Sequence, residues 1–174
     1  MKLITRIFIS LLTIFSTTMY YKVILFDYEV SKVVRFNDVT DSTVSKVFGM
    51  STYYIPNEKV FVKFYQSKNI DQHDCNLLLN YSNTLLKSNP RSTQAYFVKS
   101  VCDEKNGDLN GALNNALLGL KFNEFNTTTL LTIAILQFNL GNFDQAQDYV
   151  DMIEKIDPKT NNLEIIKNAI IMRK

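Results

Sequence analysis

Gly107-Asp108-Leu109-Asn110-Gly111-Ala112 and Gly141-Asn142-Phe143-Asp144-Gln145-Ala146 decide the fold of this chain. The two stretches align position for position, Gly107 with Gly141 and Ala112 with Ala146. Pro90 and Pro158 stand two such periods apart, and each follows an amphipathic run. The midpoint, Glu124, falls at the same boundary without a proline. A fixed period of this length signals stacked supersecondary units, each too small to bury its own apolar face.

The residues at these positions resemble the tetratricopeptide repeat (TPR), a helix–turn–helix unit of that length. The resemblance covers residues 57–158 and is most specific over 91–158. It places Gly107 and Gly141 at the turn, where glycine lets the chain leave helix A in a left-handed conformation. It makes Ala112 and Ala146 the small residues where helix B packs closely on helix A. Pro90 and Pro158 then end one B helix and open the next unit. Gly119 and Ile153 replace the second small Ala, and Asp103 and Gln137 replace an aromatic. One period earlier, Leu78 stands in place of Ala and His73 in place of Gly. Residues 58–69 and 74–87 are therefore the two helices of a degenerate first unit, and 161–172 is a capping helix. The fold class is all-α, a short TPR-like α-solenoid after an N-terminal transmembrane helix. The expected domains are an anchor at 1–26, a helical or irregular juxtamembrane linker at 27–56, and the repeat domain at 57–174. Three units barely suffice for a solenoid, so 27–55 is expected to pack against it.

The composition fits a globular chain: 174 residues, 46% hydrophobic and 21% charged, with five Gly and three Pro. The formal charge is +2. Of the 19 basic side chains, Lys2, Arg6 and Lys22 precede Asp27, the first acid, and all 17 acidic ones mingle with the remainder. No basic field for nucleic acid exists. After the basic start, residues 7–26 form an apolar run, diluted by Ser10, Thr13, Ser16, Thr17 and Thr18 and interrupted by Lys22. As a helix the run would be about 30 Å long, enough for the hydrocarbon core with Lys22 snorkelling to an interface. A membrane anchor, a cleaved signal peptide and a buried helix are the competing readings, and the anchor is taken. The basic end stays cytoplasmic and the remainder crosses, in a bacterium to the periplasm. Residues 27–36 continue the helix, 37–42 break it, Asp41 or Ser42 caps a short helix ending at Gly49, and 51–55 is an extended linker.

No catalytic constellation stands out: no G-x-S-x-G, G-x-G-x-x-G, P-loop or H-E-x-x-H. Two Cys and one His exclude most metal sites, and no cofactor or metal is expected. Asp103-Glu104 and the stripe Asp144, Asp148, Asp151 and Glu154 read as solvated faces. His73 reads as a turn residue. The repeat mapping places Gln94, Phe97, Val101, Glu104 and Lys105, then Thr128, Leu131, Ile135, Phe138 and Asn139, on the inner face. The Lys and Asn positions with which similar domains clamp a C-terminal carboxylate are here Phe97 and Val101. Leu131, Ile135 and Phe138 recur at i, i+4 and i+7, on one side of a helix. A bare apolar stripe of this kind needs a cover, either residues 27–55 or a partner helix. Cys75 and Cys102 flank Pro90 at similar distances along the chain. Antiparallel helices about that turn bring the two level, as a disulfide in an oxidising compartment or as two buried thiols.

The order of membrane helix, irregular helical stretch and degenerate repeats, with Leu86-Lys-Ser-Asn-Pro-Arg-Ser-Thr-Gln-Ala-Tyr-Phe97, resembles the periplasmic C-terminal tail of bacterial O-antigen polymerase and ligase proteins. The basic catalytic residues of that family have no counterpart here, so the resemblance carries over no catalytic residue. It implies a single-pass, non-enzymatic interaction module at the periplasmic face of a bacterial inner membrane, with a polytopic membrane protein as partner. The alternatives are an accessory or detached part of a membrane polysaccharide polymerase or ligase, with catalysis on another chain, and a structural subunit of a membrane complex.

Overall fold

The computed structural model describes residues 2–36, 39–50, 58–68 and 72–173, with the side chains of 2–9, 36, 72 and 73 set aside. The linker expected at 51–55 and the His73 side chain lie outside these. The described elements are helices: α1 (Lys2–Phe36), α2 (Asp41–Met50), α3 (Glu58–Ser67), α4 (Gln72–Ser88), α5 (Thr93–Lys105), α6 (Leu109–Leu120), α7 (Thr127–Asn139), α8 (Phe143–Ile156) and α9 (Leu163–Ile171). They fall into two compact units, Met1–Ser67 and Lys68–Lys174.

In the first unit α1 packs on α2 and α3. No Gly or Pro precedes Gly49, so nothing in the sequence breaks α1 where the anchor was expected to end. The far end of α1 is the packed end. Val33 is buried there, as are Val44, Val47 and Phe48 of α2 and Val60, Phe61 and Phe64 of α3. Phe48 and Phe61 meet edge to face, their centroids 6.2 Å apart. Glu29 is buried beside Lys32, whose ammonium lies 3.4 Å from its carboxylate and 4.6 Å from the Tyr28 ring centroid. The near end is exposed at Leu11, Leu12, Ile14, Phe15, Tyr20, Tyr21, Val23 and Ile24. The expected transmembrane helix is corrected to this extent: among the described residues no helix is long and apolar enough to cross a membrane. Five hydroxyl residues and Lys22 dilute the run, and its first three residues, 7–9, precede the described side chains. The cap of α2 is also corrected. Neither Asp41 nor Ser42 makes it. The Thr40 hydroxyl accepts from the Thr43 amide at 3.3 Å and its carbonyl accepts from Val44 at 3.0 Å. The helix runs through Gly49 to Met50.

In the second unit each helix from α4 to α9 packs on the next, and α7 also packs on α9. The repeat turns are matched. Gly107 and Gly141 have φ of +83° and +81°. The Asp108 amide donates to the Asp103 carbonyl at 2.9 Å and the Gly107 amide to Glu104 at 2.9 Å. One period on, Asn142 donates to Gln137 at 2.9 Å and Gly141 to Phe138 at 3.0 Å. Both are Schellman turns, in which a left-handed residue satisfies the last carbonyls of a helix. The boundaries between units are matched too. The amides of Ser92, Asn126 and Thr160 donate to the carbonyls of Asn89, Asn123 and Asp157 at 3.1, 3.2 and 3.1 Å. Ser92 and Asn126 then cap α5 and α7, accepting from Ala95 and Thr129.

Ala112, Ala116, Ile133 and Leu136 form one buried cluster of α6 and α7. Leu130, Ala134, Ala146, Val150, Ile153, Leu163, Ile166 and Ile170 form another, joining α7, α8 and α9. Gly119 is buried, and a Cβ there would lie 3.2 Å from Cβ of Tyr96. Ala146→Phe should overpack the α7–α8 contact and cost about 1–3 kcal/mol in urea unfolding. Gly141→Ala should cost about 1 kcal/mol through its left-handed φ. Gly49→Ala, inside a helix with no atom near the added methyl, should gain about 0.5–1 kcal/mol. An unchanged urea midpoint for Ala146→Phe would refute the register.

Candidate functional site: the inner face of the repeat array

The inner face is built by helices A of the two full units, α5 and α7. Their caps and turns stand one period apart, so equivalent side chains repeat along it. Gln94, Phe97 and Val101 on α5 are half-buried. Leu131, Ile135 and Phe138 on α7 are also half-buried, and Asn139 is exposed. Glu104 and Lys105 close α5, the first half-buried and the second exposed, and Thr128 in the first turn of α7 is exposed.

The apolar stripe on α7 has a cover within its own unit. Leu131, Ile135 and Phe138 pack against the cluster formed by α7, α8 and α9. The Phe138 ring meets Phe143 of α8 edge to face at 5.4 Å. The sequence offers two occupants, residues 27–55 or a partner, and does not point to α8 and α9. The physical reason is the period itself. α9 is the helix A that would follow, and it lies beside α7 as a next unit would. Lys167 of α9 bonds Glu154 of α8, and that carboxylate pushes the Lys167 ammonium above its ordinary pKa. A raised lysine pKa means the tie is complete at neutral pH and is lost only as pH climbs through the raised value. Gln94, Phe97 and Val101 of α5 have the same partial burial as the α7 stripe, and Asn139 stands exposed at the edge.

The polar departures from the repeat have structural partners. The Asn115 amide donates to the Asp103 carboxylate at 2.6 Å, and the Asn142 amide to the Gln137 side chain at 2.8 Å. In the acidic stripe Asp151 accepts from Gln147 at 2.7 Å and Glu154 is paired with Lys167. Asp144 and Asp148 line an open polar hollow with Arg173. Among the described residues no group of His, Cys, Asp and Glu could hold a metal ion. Cys75 and Cys102 are joined as a disulfide, with Cα atoms 5.3 Å apart.

One surface is missed by the sequence reading. Leu117, Leu120, Lys121, Glu124 and Met152 line an open, mostly apolar depression of about 460 Å³ on the B-helix side. Phe122 and Phe125 are exposed in the adjoining turn, and Phe122 stacks on Tyr96 at 6.1 Å. The readable signal was Phe122-Asn-Glu-Phe125, two aromatics in a boundary turn where polar residues suffice.

No family model matches the chain, and no curated protein matches it. Solved structures do. TTC0263, a thermophilic TPR protein of Thermus thermophilus, aligns with a TM-score of 0.53 at 13% identity, covering 84% of this chain and 71% of its own. YrrB, described as a TPR protein with an unusual peptide-binding site, aligns with a TM-score of 0.52 at 12% identity, covering 87% and 86%. The all-helical fold is therefore TPR-like; nothing in these matches bears on the O-antigen resemblance. Leu131→Asp places a charge against the α8–α9 core and should cost about 2–4 kcal/mol, whereas Asn139→Ala should stay within about 0.5 kcal/mol. A Leu131→Asp variant that melts like the parent would show that α8 and α9 do not cover the stripe.

Proposed function

We propose that this chain is a TPR-like protein-interaction module held at a membrane by α1, with the repeat unit on the extracytoplasmic side. The carrying observation is the near end of α1. Its eight exposed apolar and aromatic side chains, from Leu11 to Ile24, are spread around the full circumference at about 100° per residue. A helix apolar on all sides belongs in a protein core or in lipid. Its hydroxyls suit lipid as well. Thr13 donates to the Ser10 carbonyl at 2.8 Å, Thr17 to Ile14 at 2.9 Å and Thr18 to Ile14 at 2.7 Å. Each is satisfied by its own helix, which is how threonine is tolerated in hydrocarbon. A full crossing would use residues 7–9 as well as the described part of the run.

The repeat unit supplies the binding surface. A peptide or protein segment is the class of partner, as named for YrrB, and the α5 side of the inner face, with Gln94, Phe97 and Val101, is the surface assigned to it. The bacterial inner membrane, a polytopic partner and envelope polysaccharide assembly are the setting, on the strength of the sequence resemblance alone. Catalysis, if the assembly performs any, is on another chain. A second reading, a structural subunit of a membrane complex, gains from the filling of the α7 stripe by α8 and α9.

A topology reporter fused after Lys174 should score as extracytoplasmic, and the protein should stay in the pellet after carbonate extraction. In mild detergent the parent should co-purify with a membrane protein, and Phe97→Asp with Val101→Asp should lose it while still folding. A cytoplasmic reporter signal with release by carbonate would overturn the membrane reading. Retention of the partner by the folded double variant would overturn the assignment of the α5 face.

A further inference from the structure

We infer that Cys75 and Cys102 are a modification site for a thiol–disulfide donor, and that the bond installed there clamps α4 onto α5. Cys75 is in the first part of α4 and Cys102 in the last turn of α5. The turn at 89–92 joins the opposite ends of the same two helices. The hairpin is thus closed at one end by the chain and at the other by sulfur, across a sequence separation of 27. The Cα separation of 5.3 Å lies in the ordinary range for the bond. Within the second unit α4 packs on α5. A bond at the end of the hairpin away from its turn restricts the unfolded chain and holds α4 against α5.

Both cysteines have 0% exposure. Neither an exchanging thiol nor a donor reaches them in the finished fold, because exchange requires in-line attack on an accessible sulfur. Oxidation therefore precedes or accompanies the closure of α4 on α5. One cysteine thiolate attacks the donor disulfide and breaks it, forming a mixed disulfide. The second thiolate attacks that bond, forms Cys75–Cys102 and releases the donor as a dithiol. Two protons and two electrons pass from the chain to the donor. Such donors act outside the reducing cytosol. The inference shares the extracytoplasmic location with the proposed function and does not depend on what the repeat unit binds.

The test uses the full chain in a bacterial host with and without its periplasmic disulfide oxidase. Cells are quenched in acid and alkylated in denaturant, and thiols are counted by mass. The host with the oxidase should give no alkylated cysteine, and the host without it two. Purified native protein should hold its bond in a mild reductant that opens it in urea. Cys75→Ala/Cys102→Ala should melt about 10 °C or more below the oxidised parent. Two alkylated thiols in the competent host would overturn the modification site. An oxidised parent whose double-alanine variant melts at the same temperature would overturn the clamp. Loss of the membrane partner with the bond intact would sink the functional reading and leave this one standing.

Discussion

A backbone held at φ of +83° at Gly107 and +81° at Gly141 is the constraint on which the repeat unit depends. It reverses the chain between the end of α5 at Lys105 and the start of α6 at Leu109, and again between Asn139 and Phe143. A side chain with a Cβ resists that conformation by about 1–2 kcal/mol. So short a reversal leaves the two helices no choice but to lie against each other, which makes the first turn of each helix B a place for small residues. Ala112 and Ala146 occupy it with no exposure at all. The same closeness explains Gly119, an irregularity in the repeat. At the other end of α6 the backbone approaches Tyr96, and the missing Cβ is what the approach needs.

The period was legible because glycine, proline and alanine mark it by their backbone and volume requirements. Its strongest evidence was less visible. Asn89, Asn123 and Asp157 stand one period apart and all accept the turn bond between units, with proline following only the first and third. Asn and Asp favour the first position of such a turn through their side chains. Asn89 and Asp157 use theirs, accepting from the amides two residues on at 3.3 and 3.1 Å. The boundary at Glu124 is therefore a full turn without its proline. The cover of the α7 stripe was not legible, since it depends on where α9 lands, and no local pattern encodes that. Nor was the cap of α2. Thr40, Asp41 and Ser42 are three consecutive cap formers, and only the geometry selects the first, leaving Asp41 as an acid in the positive first turn.

The two ends of α1 differ in what packs on them. From Glu29 onward its buried side lies against α2 and α3, and the rest is polar or half-exposed. From Leu11 to Ile24 no such division exists, and the threonines, which would prefer water or a capping role in a soluble helix, are all bonded to their own backbone. A hydroxyl bonded inside its own helix costs less to bury than one left bare.

The departures from the repeat have different polar partners in the two units. In the first, Asp108 caps α6 by accepting from the Gly111 amide at 2.8 Å, and a Cβ at position 111 would collide with its carboxylate as placed. Ser92 and Asn126 make the same cap onto Ala95 and Thr129, which carry a Cβ, so the collision belongs to how the Asp108 carboxylate is turned. In the second unit the equivalent of Gly111 is Gln145, which has a Cβ, and the equivalent of Asp108 is Asn142, which makes no cap bond. Asn142 turns instead to Gln137, the residue that stands where Asp103 stands one period earlier. Asp103 in turn bonds Asn115, whose counterpart is Tyr149. The aromatic expected at 103 or 137 is absent because in both units the position serves a polar bond across the turn.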